Sequence, residues 1–433
     1  MTHGNLSTFP STTEINAQDH LSIGGCDLAD LAAEFGTPLY LFDEATLRDM
    51  CARFRNEFAS RYPDSQVLYA SKAYVNPALA RIFRDEGLGL DVVSGGELAV
   101  AQAADFPPDL VYFHGNNKSV DELEAALDWG IGRIVVDNPR EMDLLDEMAR
   151  ARGMVQDVLI RVSPGVDPHT HDYTTTGILD SKFGIPIETG LAEEAVRQAM
   201  SAPNLRLLGL HFHLGSPIYE IEPYRTAVDV TMSFADRMKD RYGLELLEFS
   251  PGGGFAIQYT ADEPPPDVSE YAAAITSAIL ERTESPPRLL IEPGRAIAGR
   301  AGVALYSVGT TKDVPGIRKY VSVDGGMGDN IRPAIYGSRY EAMVANRASA
   351  PSQETVTIAG KFCESGDILV ENVDLPIVDS RDLIAIPASG AYCLAMASNY
   401  NAAPRPPIVL LKDGQPRLIR RRETYQDLML CDL

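Results

Sequence analysis

The 433-residue sequence has few cysteines, and their placement excludes two kinds of protein. Cys26, Cys51, Cys363, Cys393 and Cys431 are odd in number, widely separated and without any CxxC pair. This pattern fits neither a disulfide framework nor a zinc site with cysteine ligands. We therefore expect free thiols in a reducing compartment.

The sequence also lacks long apolar runs, a signal peptide and an excess of positive charge. No stretch of about 18 apolar residues occurs, and the first residues, MTHGNLSTFPSTTEINAQ, contain neither a basic start nor an apolar segment. Lysine and arginine number 38 against 61 aspartates and glutamates, which gives a net charge of −23. Such an acidic surface repels phosphate backbones and anionic lipids. We expect a cytoplasmic protein that binds neither nucleic acid nor membranes.

Apolar residues make up 45% of the chain, which is enough for the cores of two or three globular domains. From about residue 66 to 291, short apolar runs alternate with longer amphipathic stretches. The eight strand candidates are QVLYA (66–70), GLDVV (89–93), LVYFH (110–114), RIVVD (133–137), VLIRV (158–162), LLGLHFH (207–213), LEFS (247–250) and LLIE (289–292). Eight such alternations predict a (β/α)8 TIM-type barrel, in the α/β class.

A doubly wound open sheet is the competing fold, but no GxGxxG motif follows the first strand candidate. After Glu292 the pattern changes to β-branched and aromatic runs separated by turns, which predicts a C-terminal antiparallel β domain. Within it, KDGQ predicts a hairpin turn. The strand-like segment TPLYLF (37–42) can belong to the same domain. We predict a barrel over residues 46–290 and a β domain built from residues 1–45 and 291–433.

Glycine-rich segments follow the seventh and eighth strand candidates, where barrels of this kind often bind phosphate. The run Gly252-Gly253-Gly254 offers backbone N–H groups, and Gly294 and Arg295 add an amide and a guanidinium. Glycine triplets also occur in simple turns. After the fifth strand candidate comes a long polar segment, HTHDYTTTGILDSKFG (169–184), and insertions of that kind are often active-site lids.

Lys72 follows the first strand candidate in the segment YASK. A lysine at the mouth of a barrel can be an ordinary surface residue, or a Schiff-base nucleophile if its amine is desolvated. Together with a phosphate site across the barrel, it suggests pyridoxal phosphate. That cofactor needs an amine for its aldehyde, donors for its phosphate and a partner for its ring nitrogen. Glu292 fits the last requirement, because a carboxylate keeps the ring nitrogen protonated.

The sixth strand candidate ends in His211-Phe212-His213. Two histidines spaced in this way on a strand lie on one face and bind zinc in some barrels. The further histidine and aspartate ligands of zinc amidohydrolases are absent from the sequence, so we predict no metal. The histidines are then packed core side chains, or one of them stacks on a flat cofactor. His213, nearer the barrel mouth, is the better stacking candidate.

Ten motifs in order carry a resemblance to a known family. They are YASKAY, DVVSGGEL, HGNNKS, SKFG, HFHLGS, GGG, EPGR, DGGMGDNIRPAIYG, CESGD and GAYCLAMASNYN. From about residue 25 to 425 the chain resembles the pyridoxal-phosphate decarboxylases of the alanine-racemase-like fold, and within that group the diaminopimelate decarboxylases. The resemblance implies a barrel with a C-terminal β domain, and a homodimer in which the β domain completes the active site at the interface.

The resemblance also implies a role for each matching residue. Lys72 would bond the cofactor, His213 would stack on its ring, and Glu292 would bind its nitrogen. Cys363 of the other subunit would return a proton to the substrate carbon, although without the motif it would be taken for a buried structural thiol. The residues around the phosphate would be Ser216, Gly252, Gly253, Gly254, Gly294, Arg295 and Tyr392.

The implied substrate has both a carboxylate and an ammonium at its far end, so its pocket needs a cation and an anion. Arg295, Arg332 and Tyr336 resemble a carboxylate clamp, and Glu364 resembles the acceptor for the ammonium, with Tyr392 beside the substrate. Without the motif, Arg332 and Tyr336 would suggest a surface salt bridge and a packed aromatic. The expected reaction is decarboxylation of meso-2,6-diaminopimelate to L-lysine and CO2, the last step of lysine biosynthesis.

Two other functions remain open at this point. One is a decarboxylase of the same fold that acts on a conjugated or carrier-linked amino acid in siderophore or antibiotic assembly. Tyr74, Cys393 and Leu394 depart from the residues common in relatives and leave room for such a substrate. The other is a non-catalytic regulator, which is disfavoured because the lysine, the cysteine and the phosphate donors are all present.

Overall fold

The computed structural model describes residues 6–167, 176–177 and 181–433. The chain divides into two compact units, which we call the barrel unit and the β unit. The barrel unit comprises Met50–Ala256 and Pro265–Gly294. The β unit comprises Met1–Asp49, Ile257–Pro264 and Arg295–Leu433.

Eight parallel strands close into a barrel in the first unit. They are Ser65–Ala70, Gly89–Val92, Val111–Phe113, Arg133–Val136, Gln156–Ser163, Leu205–His211, Glu248–Ser250 and Arg288–Ile291. Each pairs with the next, and the last pairs with the first, with Leu289 opposite Ser65. A two-residue strand, Ile185–Pro186, adds to the fifth. The predicted (β/α)8 barrel is confirmed, and the open sheet is excluded.

One helix precedes the first of these strands and seven lie between them, and local sequence signals explain where the helices begin and end. The first is Glu44–Ala59, and the other seven are Pro77–Asp85, Gly95–Ala103, Val120–Trp129, Pro139–Arg152, Leu191–Ser201, Glu222–Tyr242 and Val268–Leu280. Asn76 and Asn138 cap helices that begin with proline, and Ser119 forms a capping box with Glu122. Gly130 ends the Ser119-capped helix in the left-handed conformation that glycine adopts without strain.

Apolar side chains from five different strands fill the middle of the barrel. This cluster consists of Leu68, Tyr112, Val135, Leu159 and Leu290, all of them buried. A filled interior leaves functional side chains to gather at the strand ends, and in this fold they gather at the carboxyl ends.

A nine-stranded sheet organises the β unit. Its strands are Leu39–Asp43, Gly302–Val314, Arg318–Val323, Met343–Val344, Glu354–Ala359, Ile368–Leu375, Leu383–Ile386, Ile408–Lys412 and Gln415–Arg420. Most pairs are antiparallel, as predicted, but Arg318–Val323 pairs in parallel with Glu354–Ala359, and Leu39–Asp43 with Ile408–Lys412. Leu39–Asp43 confirms the strand expected near residues 37–42.

The KDGQ hairpin is also confirmed, because Lys412 pairs with Gln415 and both turn residues have positive φ.

The rest of the β unit consists of short elements. They are the strands Glu14–Ile15, Leu21–Ile23 and Cys26–Asp27 and the helices Leu28–Phe35, Arg295–Ala298, Arg332–Tyr336 and Tyr425–Leu428.

Two further expectations concern lids and membranes. Most of the lid predicted at residues 169–184 lies outside the described residues, which include only 176–177 and 181–184 of it. In the described parts of the chain, no helix combines the length and apolar character needed to cross a membrane.

Candidate active site

Lys72 lies just past the first barrel strand, in the 3₁₀ turn Ser71–Ala73. Its Nζ is 3.3 Å from Oδ2 of Asp91, a fully buried residue of the second strand. The two strands are neighbours, with Ala70 opposite Asp91, so the register of the sheet brings the two charges together. Lys72 itself is 36% exposed. The amine is therefore accessible to a ligand, and the Asp91 carboxylate fixes its position.

Glu292 follows the eighth strand and is buried. Its Oε1 accepts a hydrogen bond from Ser250 Oγ at 2.7 Å, and its Oε2 lies 3.1 Å from Nε2 of His211. His114 Nε2 is 3.6 Å from Oε1. Burial alone would raise the pKa of Glu292, but the two histidines outweigh it and lower that pKa to about 2. Glu292 is therefore an ionised carboxylate, the state needed to hold a proton on a pyridine nitrogen.

His213 lies in the loop after the sixth strand, so the expectation that both histidines lie on that strand is wrong. The strand ends at His211, which pairs with Ser250 of the seventh strand and with Arg161 of the fifth. Nδ1 of His213 accepts a hydrogen bond from Gly253 N–H at 3.2 Å. Burial and the charges of Lys72 and Arg161 lower the pKa of His213 well below its ordinary value. The ring is thus neutral, with its proton on Nε2.

His211 and His213 therefore do not lie together on one strand, as the two histidines of a zinc site built on that strand would. Instead His114, His211 and Glu292 place three possible metal-ligand atoms within 4.8 Å of one another. The carboxylate in this set is the one expected at the cofactor's ring nitrogen. The absence of a metal stays a prediction.

The glycine-rich loops pack so closely that side chains would not fit. A Cβ on Gly253 would lie 2.0 Å from the carbonyl oxygen of Glu292, and one on Gly254 would lie 2.3 Å from that of Gly215. Ile218 N–H donates to the Gly254 carbonyl at 2.8 Å, which brings the loop that carries Ser216 against the triplet. These contacts collect the predicted phosphate loops at one end of the barrel.

The donors and acceptors at this end fit pyridoxal phosphate. Gly252 and Gly253 N–H already donate to Ser250 Oγ and His213 Nδ1, which leaves the Gly254 N–H of the triplet for a phosphate. Several buried polar atoms here have no hydrogen-bond partner among the described residues. They are Ser71 Oγ, Asp91 Oδ1, His114 Nε2 and His211 Nδ1. Unsatisfied buried polar atoms of this kind indicate a polar ligand.

A second cluster lies in the β unit. Nη1 of Arg295 and Nη1 of Arg332 both donate to Tyr259 Oη, at 2.5 and 3.1 Å. The Arg295 guanidinium also lies over the ring of Tyr392, 4.7 Å from its centroid. Arg332 is 4% exposed, and no described carboxylate lies within salt-bridge distance of it. A buried cation without a counter-charge points to an anionic ligand.

The structure brings together two of the three residues predicted for the carboxylate clamp. Arg295 and Arg332 come together through Tyr259, and Tyr336 lies one helical turn after Arg332, at the end of Arg332–Tyr336. Sequence reasoning missed Tyr259, because IQYT (257–260) belongs to none of the recognised motifs. Its only sequence signal is an aromatic residue shortly after the glycine triplet.

Cys363 and Glu364 are exposed on the loop between Glu354–Ala359 and Ile368–Leu375. The loop is tethered by Asp367, whose carboxylate accepts hydrogen bonds from Phe362 N–H at 2.8 Å and Met327 N–H at 2.6 Å. Sequence reasoning gave no role to Asp367. Whether both exposed side chains reach a partner's active site stays a prediction.

The chain is similar to known proteins over nearly its whole length. Residues 45–299 match the family described as "Pyridoxal-dependent decarboxylase, pyridoxal binding domain". The chain is 46% identical to the diaminopimelate decarboxylase of Bacillus subtilis, over 98% of this chain and 97% of that protein. The chain belongs to the diaminopimelate decarboxylase family.

Solved structures of diaminopimelate decarboxylases agree with this assignment. The enzyme from M. jannaschii in complex with L-lysine superposes with a TM-score of 0.92 at 35% identity, and the match covers 98% of both chains. The diaminopimelate decarboxylase of Bacillus methanolicus is 44% identical over 98% of this chain and 99% of that protein. The predictions of a carboxy-lyase and of pyridoxal phosphate as cofactor are confirmed.

Proposed function

We propose that this protein decarboxylates meso-2,6-diaminopimelate to L-lysine and CO2. The observation that carries the substrate assignment is Arg332, a buried guanidinium without a carboxylate partner among the described residues. Substrates that end in an amine or a guanidine need an acidic partner at the far end, whereas diaminopimelate brings a second carboxylate that needs a cation. The similarity to diaminopimelate decarboxylases supports the same substrate.

The barrel unit supplies the groups that hold the cofactor. When bound, pyridoxal phosphate supplies a sink for the electron pair that CO2 leaves behind. Lys72 would be the residue that bonds its aldehyde, with the Asp91 carboxylate orienting the Lys72 amine. Glu292 would keep a proton on the ring nitrogen, and neutral His213 would stack on the ring. Ser216, Gly294 and the triplet, chiefly Gly254, would bind the phosphate.

The β unit supplies the groups that select and protonate the substrate. Arg332 and Tyr336 bind the carboxylate of the centre that does not react, and Glu364 accepts a hydrogen bond from its ammonium. As the family resemblance implies, Arg295 lies near the cofactor phosphate and belongs to the carboxylate clamp, and Tyr392 lies near the phosphate and beside the substrate. The Cys363 thiol donates a proton to the carbon that has lost CO2.

We also propose a cytoplasmic homodimer in which Cys363 and Glu364 of one subunit act in the active site of the other. Both side chains are exposed on a tethered loop, so they are available to a second molecule. If Cys363 acted without a second subunit, the acid would be exposed to water, which is unusual for a reaction that must exclude water.

The test is CO2 release by the purified protein with added pyridoxal phosphate. We expect release from meso-diaminopimelate and none from L-lysine, L-ornithine or L-arginine, because those substrates leave Arg332 without a carboxylate. Release from ornithine or arginine at a similar rate would overturn the substrate assignment. No release from any of the four, with the cofactor bound, would favour a conjugated amino acid instead.

A further inference from the structure

Tyr259 connects two arginines from separate segments of the β unit. Arg295 begins the short helix Arg295–Ala298, and Arg332 begins Arg332–Tyr336. Both guanidinium groups donate to the same phenol oxygen. They also approach the face of the Tyr259 ring, with their central carbons 5.8 and 5.0 Å from its centroid. All three side chains are at least nine-tenths buried.

Tyr259 offsets the electrostatic repulsion between the guanidinium groups of Arg295 and Arg332. A phenol oxygen has two lone pairs, so it can accept a hydrogen bond from each guanidinium. The electron-rich ring face attracts cations as well. Tyr259 is itself fixed by Tyr340, whose ring meets it edge to face with centroids 5.3 Å apart. The phenol therefore sets both the separation and the orientation of the two guanidinium groups.

Arg332 is held by neutral oxygens and retains an unused donor. Its Nη1 bonds Tyr259 Oη, and its Nη2 bonds Ser338 Oγ at 3.0 Å. Its Nε is buried and has no hydrogen-bond partner among the described residues. A guanidinium that is fixed in this way, without a competing carboxylate, is preorganised to receive an anion.

We propose that Tyr259 is a positioning residue for the carboxylate of the substrate's non-reacting centre, and that it acts through Arg332. This inference rests on the proposed function, because the carboxylate is that of diaminopimelate. The same carboxylate remains in the product L-lysine and is missing from cadaverine, which otherwise has the same chain. Tyr259 therefore contributes to the preference for ligands that carry this carboxylate.

The test is Tyr259→Phe, which keeps the ring and removes the shared acceptor. We expect KM for meso-diaminopimelate to rise about tenfold and kcat to stay within about twofold, because the lost bond orients a binding group. Inhibition by L-lysine should weaken by a similar factor, while inhibition by cadaverine should not change. Weaker inhibition by lysine alone would identify a positioning role for Tyr259, since a general structural defect would weaken inhibition by both compounds.

Tyr62→Phe is the matched control, because Tyr62 is a buried tyrosine whose hydroxyl donates to the Pro287 carbonyl in the barrel unit. It should leave the ratio of lysine to cadaverine inhibition unchanged. If Tyr259→Phe fails to fold, Ser338→Ala removes the other neutral oxygen on Arg332 and should shift the ratio in the same direction. Equal weakening of both inhibitors, or a fall in kcat at constant KM, would overturn the inference. Failure of the proposed function would differ, because the wild-type protein would then not release CO2 from diaminopimelate.

Discussion

At the scale of single residues, the barrel unit gives each of two buried carboxylates a polar partner where its strands end. Lys72 Nζ lies 3.3 Å from the Asp91 carboxylate, and His211 Nε2 lies 3.1 Å from the Glu292 carboxylate. A buried charge is tolerated when a partner compensates for its lost hydration. These pairs therefore hold the amine and the carboxylate that the cofactor needs in fixed positions before it binds.

Replacing Lys72 with Ala removes the group proposed to form the covalent bond to the cofactor. We expect the absorbance of the lysine-bound cofactor to vanish and CO2 release to fall by several orders of magnitude. Absorbance spectra and turnover of protein incubated with pyridoxal phosphate would measure both effects. Lys239→Ala, a change at an exposed lysine on Glu222–Tyr242, serves as control and should leave both unaffected. Retained absorbance in Lys72→Ala would disprove the assignment.

Asp329 gives a residue-scale prediction about pH. Its carboxylate accepts hydrogen bonds from Tyr40 Oη at 3.0 Å, from Tyr306 Oη and from Gly326 N–H. Burial nevertheless raises the pKa of Asp329 to about 6. Because this pKa is higher in the folded state than the roughly 3.9 of an unfolded chain, folding loses stability as pH rises between those two values.

Asp329→Asn should remove this pH dependence. Relative to the variant, the wild type should lose roughly 2 to 3 kcal/mol in free energy of unfolding between about pH 4 and pH 7. Urea unfolding of both proteins across that range measures the difference. A difference that does not change with pH would show that Asp329 is ionised throughout.

At the scale of elements, one carboxylate joins two loops of the β unit. Asp367 binds the loop that carries Cys363 and also the loop that contains Gly326 and Met327. The fit is tight, since a Cβ on Gly360 would lie 2.2 Å from an Asp367 oxygen and one on Gly326 would lie 2.4 Å from the other. Glycine is therefore required where the loops close on the carboxylate.

Asp367→Asn should loosen the Cys363 loop, because an amide can accept only one of the two backbone hydrogen bonds. We expect kcat to fall about tenfold, in line with the loss of one buried hydrogen bond to a charged group. Asp379→Asn is a suitable control, because Asp379 also accepts a backbone hydrogen bond, from Arg381, but on an exposed turn without site residues. Equal effects of the two variants would contradict a specific role for Asp367.

At the scale of the whole molecule, the proposed dimer makes catalysis depend on residues from two chains. Lys72 and Cys363 would then act together only across the subunit interface. Mixing the inactive Lys72→Ala and Cys363→Ala variants, after dissociation and reassembly, should restore about a quarter of wild-type activity, because half of the dimers have one intact site. Sedimentation would verify reassembly. Reassembled mixtures without activity would place both residues in one chain's own site.

Much of the fold follows from local patterns. All eight barrel strands lie within a few residues of the apolar runs that predicted them, since the hydrophobic pattern of neighbouring residues indicates where strands and helices alternate. The KDGQ turn is equally local. The predicted sixth strand runs to His213, two residues beyond its observed end at His211, because the end of a strand depends on pairing with both neighbouring strands and the apolar pattern does not show that pairing.

The barrel, the family, the cofactor and the candidate residues could all be predicted from the sequence, because they depend on motifs and periodicities within short segments. Three contacts could not be predicted and are seen only in the folded chain: Asp91 faces Lys72, Tyr259 joins Arg295 to Arg332, and Asp367 closes the Cys363 loop. Each of these contacts links segments that are distant in the chain or separated by an unpatterned loop. Their partners are chosen by packing and strand register, which no local pattern encodes.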